Sequence, residues 1–182
     1  IVTEVDSIKA LEAVNEGYWV MPMDEAVEYG DFFVTTTGTK DIIAARHLDM
    51  LKDGAVLANA GHFFEEIDLK SLNERAEERK ELRENITGYK LPGGRWINVV
   101  ADGKIVNISA ADGHPAEIMD MSFAVQALAG RYVREHRSEL SPAVLRVPAE
   151  IDERIARFKL SAMNIGIDEL TDGQRAYIEG YE

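Results

Sequence analysis

The stretch Asp31-Phe-Phe-Val-Thr-Thr-Thr37 is a run of residues that favour β-strands, and it decides the predicted fold. A second such run, Ala55-Val-Leu-Ala-Asn-Ala60, follows a predicted helix over 40–51. Towards the N-terminus, the runs Ile1-Val-Thr-Glu-Val5 and Tyr18-Trp-Val-Met21 have the same character. Strands that are apolar throughout and alternate with short helices indicate a parallel sheet covered by helices on both faces. The sequence therefore predicts an α/β fold of the Rossmann type.

Polar residues follow three of these predicted strands at their carboxyl ends, where functional groups collect in parallel sheets. Glu4 ends the first strand, and Asn59 ends the fourth. Thr36 and Gly38 follow the third. Hydroxyl and amide groups can hold a ribose, a nicotinamide carboxamide or a sugar hydroxyl, and Gly38 lets a ligand approach the backbone. The alternative is that Thr36 and Asn59 only cap the helices that follow them.

The segment 107–126 is the second informative stretch, and it contains the corner Gly113-His114-Pro115. The glycine can adopt backbone angles closed to other residues, and the proline suits the first position of a helix, so the histidine between them is held stiffly. Such a histidine can titrate or hydrogen-bond near neutral pH. The alternative is an ordinary helix start with an incidental histidine. His47 and His136 lie on charged, helix-like stretches and are expected to be solvated.

The other segments give structural predictions only. The very polar segment 68–85 predicts a solvated surface helix. The segment 86–107 predicts two hairpins in series, with Asn107 on the last strand. A largely buried helix is expected to start at Pro115, and two further helices are expected over 149–182.

Composition limits the functional classes. The 182 residues can bury the core of one domain, or of one domain with an appendage. The net charge of −13 argues against nucleic acid or an anionic membrane as a partner, and no apolar run is long enough to cross a bilayer. The absence of cysteine excludes disulfides, thiol catalysis and thiolate metal sites, and it fits a cytoplasmic location. A small molecule or another protein is left as the partner, and no metal is expected.

Four motifs together resemble those of the S-adenosyl-L-homocysteine hydrolase family in content, order and separation. Any one of them is a weak match, whereas four in register over more than a hundred residues are a strong one. The resemblance covers essentially the whole chain. The motifs are Thr3-Glu-Val-Asp6, Val34-Thr-Thr-Thr-Gly-Thr-Lys-Asp-Ile-Ile43, Asn59-Ala-Gly-His-Phe63 and the segment 107–126.

The resemblance implies an NAD-dependent hydrolase that reversibly cleaves S-adenosyl-L-homocysteine to adenosine and L-homocysteine. The implied steps are 3′-oxidation, elimination, water addition and re-reduction, in a homotetramer whose NAD domain closes on a substrate domain. It assigns 1–112 to the NAD-binding domain, whose first strand and glycine-rich loop would precede Ile1. It assigns 113–148 to a hinge and a helix returning to the substrate domain, and 149–182 to an oligomerisation tail.

Site residues follow from the same resemblance. His62 and His114 are implied to be catalytic and to contact the substrate, and Met119 is implied to line the adenine pocket. NAD is implied to contact seven positions: Glu4, Thr36, Gly38, Asn59, Ala60, Gly61 and Asn107. Three positions depart from the pattern common in the family: Lys9, Phe64 and Asp112.

Two other interpretations remain open. A catalytically silent relative would bind NAD and regulate a partner protein. An NAD-dependent 2-hydroxyacid dehydrogenase shares the sheet pattern, although a catalytic histidine in a Gly-His-Pro corner before a buried helix is not expected of that class.

Overall fold

The computed structural model describes residues 1–180. The chain divides between Gly113 and His114 into two compact units. The first unit contains the β-sheet, and the second contains three helices. Within the described residues, no helix is long and apolar enough to span a membrane.

The first unit combines four helices, three short 3-10 turns and five strands. The helices are α1 Ser7–Asn15, α2 Met23–Tyr29, α3 Leu69–Arg75 and α4 Val106–Ser109. The turns are Ala45–His47, Phe64–Glu66 and Ala101–Gly103. The strands are β1 Phe32–Thr35, β2 Val56–Asn59, β3 Glu78–Arg83, β4 Ile86–Lys90 and β5 Trp96–Val100.

The five strands form one sheet in the order β1-β2-β5-β4-β3. β2 pairs in parallel with β1 and β5, whereas β4 pairs antiparallel with β5 and β3. The predicted α/β class is confirmed, with a mixed rather than wholly parallel sheet. The antiparallel part arises at Pro92-Gly-Gly94, where both glycines have positive φ angles, 90° and 88°, and the chain reverses tightly between β4 and β5.

The core of the first unit is built on the central strands. Leu57 of β2 and Ile97 and Val99 of β5 are fully buried. Full burial of such a side chain stabilises the fold by about 1.5–3 kcal/mol, so these strands form a firm platform for the loops at their ends. Other buried residues of the same cluster include Ile43, Leu48, Leu51, Ile67, Leu72 and Leu91.

The prediction of a helix over 40–51 is wrong. Only Ala45–His47 forms a short 3-10 turn there. The backbone N–H groups of residues 41–43 donate instead to the carbonyl oxygens of Glu65 and Glu66, at 2.9–3.0 Å. Because bonds to a neighbouring loop already satisfy these donors, the segment does not need a helix to pair them.

The charged segment 68–85 is a helix only in its first half. There Asp68 caps α3, because its Oδ1 accepts from the N–H of Ser71 at 2.9 Å. The second half is β3, whose six residues are all exposed. Pairing with β4 overrides the helix-like charge pattern, and charged side chains suit an edge strand because they discourage further pairing.

The prediction for 86–107 is correct for the first hairpin and wrong for the second. After β5, the residues Ala101, Asp102 and Gly103 all have positive φ angles, of 52°, 51° and 73°. This left-handed turn leads into the short helix α4 instead of a strand, and only an isolated bridge joins Ile105 to Asn59. Asn107 therefore lies on α4.

The two predicted N-terminal strands are reduced to one bridged pair. Val2 and Val20 form an isolated parallel bridge, in which the N–H of Val2 donates to the carbonyl of Trp19 at 2.8 Å. The direction of the pairing is as predicted for a parallel sheet. A regular strand needs pairing over several successive residues. Among the described residues, Val2–Val20 is the only bridge between these two segments.

β1 is an edge strand in the described sheet, since β2 is its only neighbour there. Phe33 and Thr35 are buried, whereas Phe32 and Val34 are 77% and 62% exposed. In a parallel ladder the backbone groups of alternate residues point to opposite sides. One long edge of β1, and one of its faces, is thus left open.

The second unit contains α5 Ala116–Glu135, α6 Ala149–Ala162 and α7 Asp172–Glu179. α5 packs on α6, and Lys159 Nζ lies 3.0 Å from Asp120 Oδ2. The prediction that α5 is largely buried is wrong for the described chain, in which none of its residues is buried, because this unit supplies too little apolar surface to cover it. The two helices predicted for 149–182 are present, and Tyr181 and Glu182 lie outside the described residues.

The prediction that His47 is solvated is wrong. Its side chain is fully buried, and Nε2 lies 2.8 Å from Asp24 Oδ1 while Nδ1 accepts from the N–H of Ala44 at 3.0 Å. These contacts give His47 a structural role, joining α2 to the turn after β1. His136 is half-buried and stacks on Tyr132, with ring centroids 4.3 Å apart.

We expect the hydrogen bonds that Asp24 accepts from Arg46 and His47 to make stability depend on acid pH. Hydrogen bonds from Arg46 and then from His47 hold the pKa of Asp24 below its usual value. The stabilisation is therefore complete above the usual aspartate pKa of about 3.9 and is lost as the pH falls through the lower folded value. The free energy of unfolding of Asp24→Asn should fall below that of the unaltered protein at pH 6, and the two should converge in acid. Urea titrations over pH would measure this, with Glu25→Gln as the control, and a gap that persists at the lowest pH would contradict it.

Candidate functional site

The carboxyl ends of β1 and β2 lie side by side, because the two strands pair in parallel up to Thr35 and Asn59. The Thr35 hydroxyl donates to Asn59 Oδ1 at 3.1 Å, and the N–H of Ala60 donates to the Thr35 carbonyl at 2.8 Å. The loops that follow, 36–43 and 60–67, therefore start from one place. Five predicted site residues lie on these loops: Thr36, Gly38, Ala60, Gly61 and His62.

Asn59 is fully buried, and its amide is saturated with hydrogen bonds. Oδ1 accepts from the Thr35 hydroxyl and from the N–H of Gly61, the latter at 2.7 Å. Nδ2 donates to the carbonyl oxygens of Phe63 and Gly103, at 2.8 and 3.0 Å. These four bonds use both donors and both acceptor positions of the amide. The contact of Asn59 with NAD stays a prediction, and the amide would give up one of these bonds to make it.

Glu66 is the residue of this region that sequence reasoning missed. It is fully buried, and its carboxylate accepts from the N–H groups of Thr37 and Gly38, at 3.0 and 2.5 Å. Its neighbour Glu65 is exposed. The sequence gives no signal that separates two adjacent glutamates, because the difference arises from the packing of one loop on another.

A cavity of about 320 Å³ opens between the N-terminal segment and β1. It brings Thr3, the neighbour of Glu4, together with Thr36 and Thr37. Its volume is within the range of small-molecule sites. A larger cavity of about 510 Å³ lies at the β3–β4 hairpin and is lined by none of the predicted site residues. The smaller cavity is therefore the better candidate site.

Glu4 is an exposed carboxylate at the end of the N-terminal segment. Its Oε1 accepts from the N–H groups of Asp6 and Val5, at 3.0 and 2.6 Å, and these bonds lower the pKa of Glu4 below its usual value. The group is thus ionised at neutral pH with one oxygen fixed by the backbone. Within the described residues, Oε2 has no hydrogen-bond partner and is available to a ligand.

Two further predicted positions of the first unit are also accessible. His62 is exposed, and the edge of its ring meets Phe63, with centroids 4.9 Å apart. Asn107 is half-buried on α4, and its amide makes no hydrogen bond to any of residues 1–180. In the second unit, His114 is exposed and Met119 is half-buried at the start of α5. The two histidines therefore belong to different units.

These groups fit parts of a dinucleotide. A carboxylate accepts from ribose hydroxyls, and a free amide such as that of Asn107 can pair with a carboxamide. Gly38 has a positive φ of 69° and open space where a Cβ would stand, so a ligand can approach its backbone. The sequence contains no G-x-G-x-x-G, so the groups that typically hold a pyrophosphate are not among these residues.

Comparison with protein families gives a match to the S-adenosyl-L-homocysteine hydrolase NAD binding domain over residues 1–113. This range contains both strand ends, the cavity and every predicted cofactor position.

Curated relatives match the whole chain. An adenosylhomocysteinase of Aquifex aeolicus is 54% identical over 182 residues, covering 100% of this chain and 44% of the relative. An adenosylhomocysteinase of Thermotoga maritima is 50% identical over 182 residues, covering 100% and 45%. An S-inosyl-L-homocysteine hydrolase of Methanopyrus kandleri is 47% identical over 183 residues, covering 100% and 43%. The chain thus spans less than half the length of these relatives.

Proposed function

This chain belongs to the S-adenosyl-L-homocysteine hydrolase family, and we propose that it works within an NAD-dependent hydrolase that cleaves S-adenosyl-L-homocysteine to adenosine and L-homocysteine. NAD is the cofactor of the domain that residues 1–113 match. The observation that carries the proposal is that the end of β1 and the loop after it line a cavity that also reaches Thr3, next to Glu4, while the end of β2 pairs directly beside the end of β1.

The proposed cofactor contacts divide by chemistry. Glu4 accepts hydrogen bonds from the adenosine ribose of NAD, because it is an ionised carboxylate with a free oxygen. Thr36 and Gly38 meet the cofactor from the loop after β1. The backbone of Ala60 and Gly61 and the amide of Asn107 face the nicotinamide end. Asn59 supports these positions from within the fold.

The proposed chemistry uses NAD for the redox steps and the histidines for proton transfer. NAD bound in this domain supplies a hydride acceptor for the substrate sugar and returns the hydride later. His62 and His114 are each able to hold or release a proton at an imidazole nitrogen, which elimination of a leaving group requires. Met119 contributes an apolar surface for the adenine base. The hinge at Gly113, with φ of 79°, lets the substrate domain close and exclude water.

The unpaired edge of β1 is where we expect the rest of the NAD domain to pair with the sheet. The relatives are more than twice as long as this chain, and β1 has a free ladder edge facing the cavity. A parallel strand paired there would bring a glycine-rich turn to the cavity, where it could hold the pyrophosphate.

Assembly and location are further parts of the proposal. The helices of the second unit expose apolar side chains such as Phe123 and Phe158, which are 58% and 77% exposed. Apolar surface of this kind favours contact with another subunit or domain, in agreement with a homotetramer. We propose a cytoplasmic enzyme whose partners are its small-molecule substrates and its own copies, without nucleic acid or membrane.

The test is the reaction itself with the intact protein. Purified protein supplied with NAD should release adenosine and L-homocysteine from S-adenosyl-L-homocysteine. S-inosyl-L-homocysteine should be assayed beside it, because the Methanopyrus kandleri relative carries that name. NAD binding without turnover of either thioether would favour the silent regulator, and oxidation of a 2-hydroxy acid with formation of NADH would favour a dehydrogenase.

Glu4→Gln is expected to weaken NAD binding. The amide keeps an acceptor oxygen for the backbone bonds but loses the charge and the second acceptor that the ribose would use. Hydrogen bonds to charged groups are the stronger class, so the Kd for NAD should rise roughly tenfold to a hundredfold. Isothermal titration of the intact protein would measure the change. Glu12→Gln on α1 is the control with the same loss of charge, and an equal Kd in both variants would argue against the assigned role.

A further inference from the structure

We propose that Glu66 is a positioning residue, which shapes the loop after β1 for NAD from inside the protein. The inference rests on the proposed function. Glu66 lies at the end of the 3-10 turn Phe64–Glu66 in the loop after β2, and its side chain crosses to the loop after β1. Its two carboxylate oxygens accept from two successive N–H groups, those of Thr37 and Gly38.

The backbone reinforces the same connection. The N–H groups of Ile42 and Ile43 both donate to the carbonyl of Glu66, at 2.9 and 3.0 Å. The loop after β1 is thus attached to one residue near its start and again near its end. Between these points it carries Asp41 with φ of 56°, a left-handed conformation that residues other than glycine adopt only rarely.

The full burial of Glu66 argues for a defined role of its side chain. Burying a carboxylate is costly unless it is paired and hydrogen-bonded. Among the ion pairs of residues 1–180, none involves Glu66, so the N–H groups of Thr37 and Gly38 supply its compensation. These two hydrogen bonds also hold the loop after β1 in place, which is the function that we assign to Glu66.

Gly61 makes room for this arrangement. A Cβ on Gly61 would overlap Oε1 of Glu66, so the carboxylate passes directly against the backbone of the loop after β2. Gly61 also donates its N–H to Asn59 Oδ1. Glu66 and Asn59 therefore fix the two loops to one another at the place where Thr36 and Ala60 emerge into solvent.

The consequence for binding is preorganisation. Thr36 directly precedes the Thr37 N–H group that Glu66 holds, and Thr36 is exposed. If the loop were not held, NAD would have to order it on binding. The entropy lost by the loop would then make the free energy of binding less favourable. Glu66 does not need to touch the cofactor for this effect.

Glu66→Gln tests the assignment in the intact protein, with Glu65→Gln as the control. The N–H groups of Thr37 and Gly38 bond to different oxygens of Glu66, and glutamine replaces one of these oxygens with an NH₂ donor, so one of the two N–H groups loses its acceptor. We expect faster hydrogen exchange at the Thr37 and Gly38 amides. We also expect the Kd for NAD to rise about tenfold, because the free-energy cost of ordering one residue corresponds to a change of that size. The control variant should match the unaltered protein in both measurements. Should Glu66→Gln fail to fold, Glu66→Asp, which keeps the charge but shortens the reach, should shift both readouts in the same direction.

The outcomes are separable. A variant that is less stable to urea but binds NAD as tightly as the unaltered protein would make Glu66 structural only and would overturn the inference. Unchanged exchange at Thr37 and Gly38 would overturn it as well. Failure of the unaltered protein to bind NAD would refute the proposed function, and this inference with it.

Discussion

Gly61→Ala is expected to destabilise the protein by about 3 kcal/mol, at the upper end of overpacking effects in well-packed interiors. The added Cβ would overlap Oε1 and crowd the rest of the Glu66 carboxylate, which is fully buried and held by two backbone hydrogen bonds. A displaced carboxylate would release the N–H groups of Thr37 and Gly38. Urea unfolding of the intact protein would measure the loss.

A double-mutant cycle identifies the cause of that loss. If the overlap with Glu66 is responsible, Gly61→Ala should cost much less when Glu66→Ala is also present, since the clash is then removed. Gly130→Ala is the matched control, because Gly130 lies within α5 with no atom close to its added Cβ, and alanine is the better helix former. Additive effects of the two site changes would show that Gly61 is required for another reason.

His62→Asn is expected to lower kcat by roughly 10²–10⁴-fold, the usual contribution of a positioned acid or base. The imidazole is exposed near the start of the loop after β2 and meets only the edge of Phe63. It is therefore free to face a substrate, and its removal should disturb the fold little. NAD content and the urea midpoint should remain close to those of the unaltered protein.

His136→Asn provides the comparison for this prediction. His136 stacks on Tyr132 at the end of α5 and is given no role in the chemistry. Its replacement should leave kcat within about twofold. If His62→Asn retained full turnover, or lost activity only together with NAD, the proton-transfer role would be wrong.

The sequence predicts the platform well and the loops poorly. Apolar runs mark β1 and β2 because buried parallel strands are apolar throughout, and Asp6 is recognisable as the cap of α1. The segments 40–51 and 78–83 could not be predicted in this way, because backbone bonds to distant segments decide their structure.

The same limit applies to the candidate site. Exposed positions such as Glu4 and Thr36 can be identified from strand ends and from resemblance to a family. Glu66 and the left-handed turn at Ala101 could not, since their roles depend on which loop lies against which. His47 was likewise misjudged because its partner, Asp24, is distant in the sequence.

The two borders of the sheet differ in how they would behave towards other proteins. On one border, β3 presents six exposed residues, five of them charged, which makes it a poor template for a growing aggregate. On the other, β1 presents an unpaired ladder with exposed Phe32 and Val34. Pairing between the sheets of two molecules is therefore expected at the β1 border and not at the β3 border.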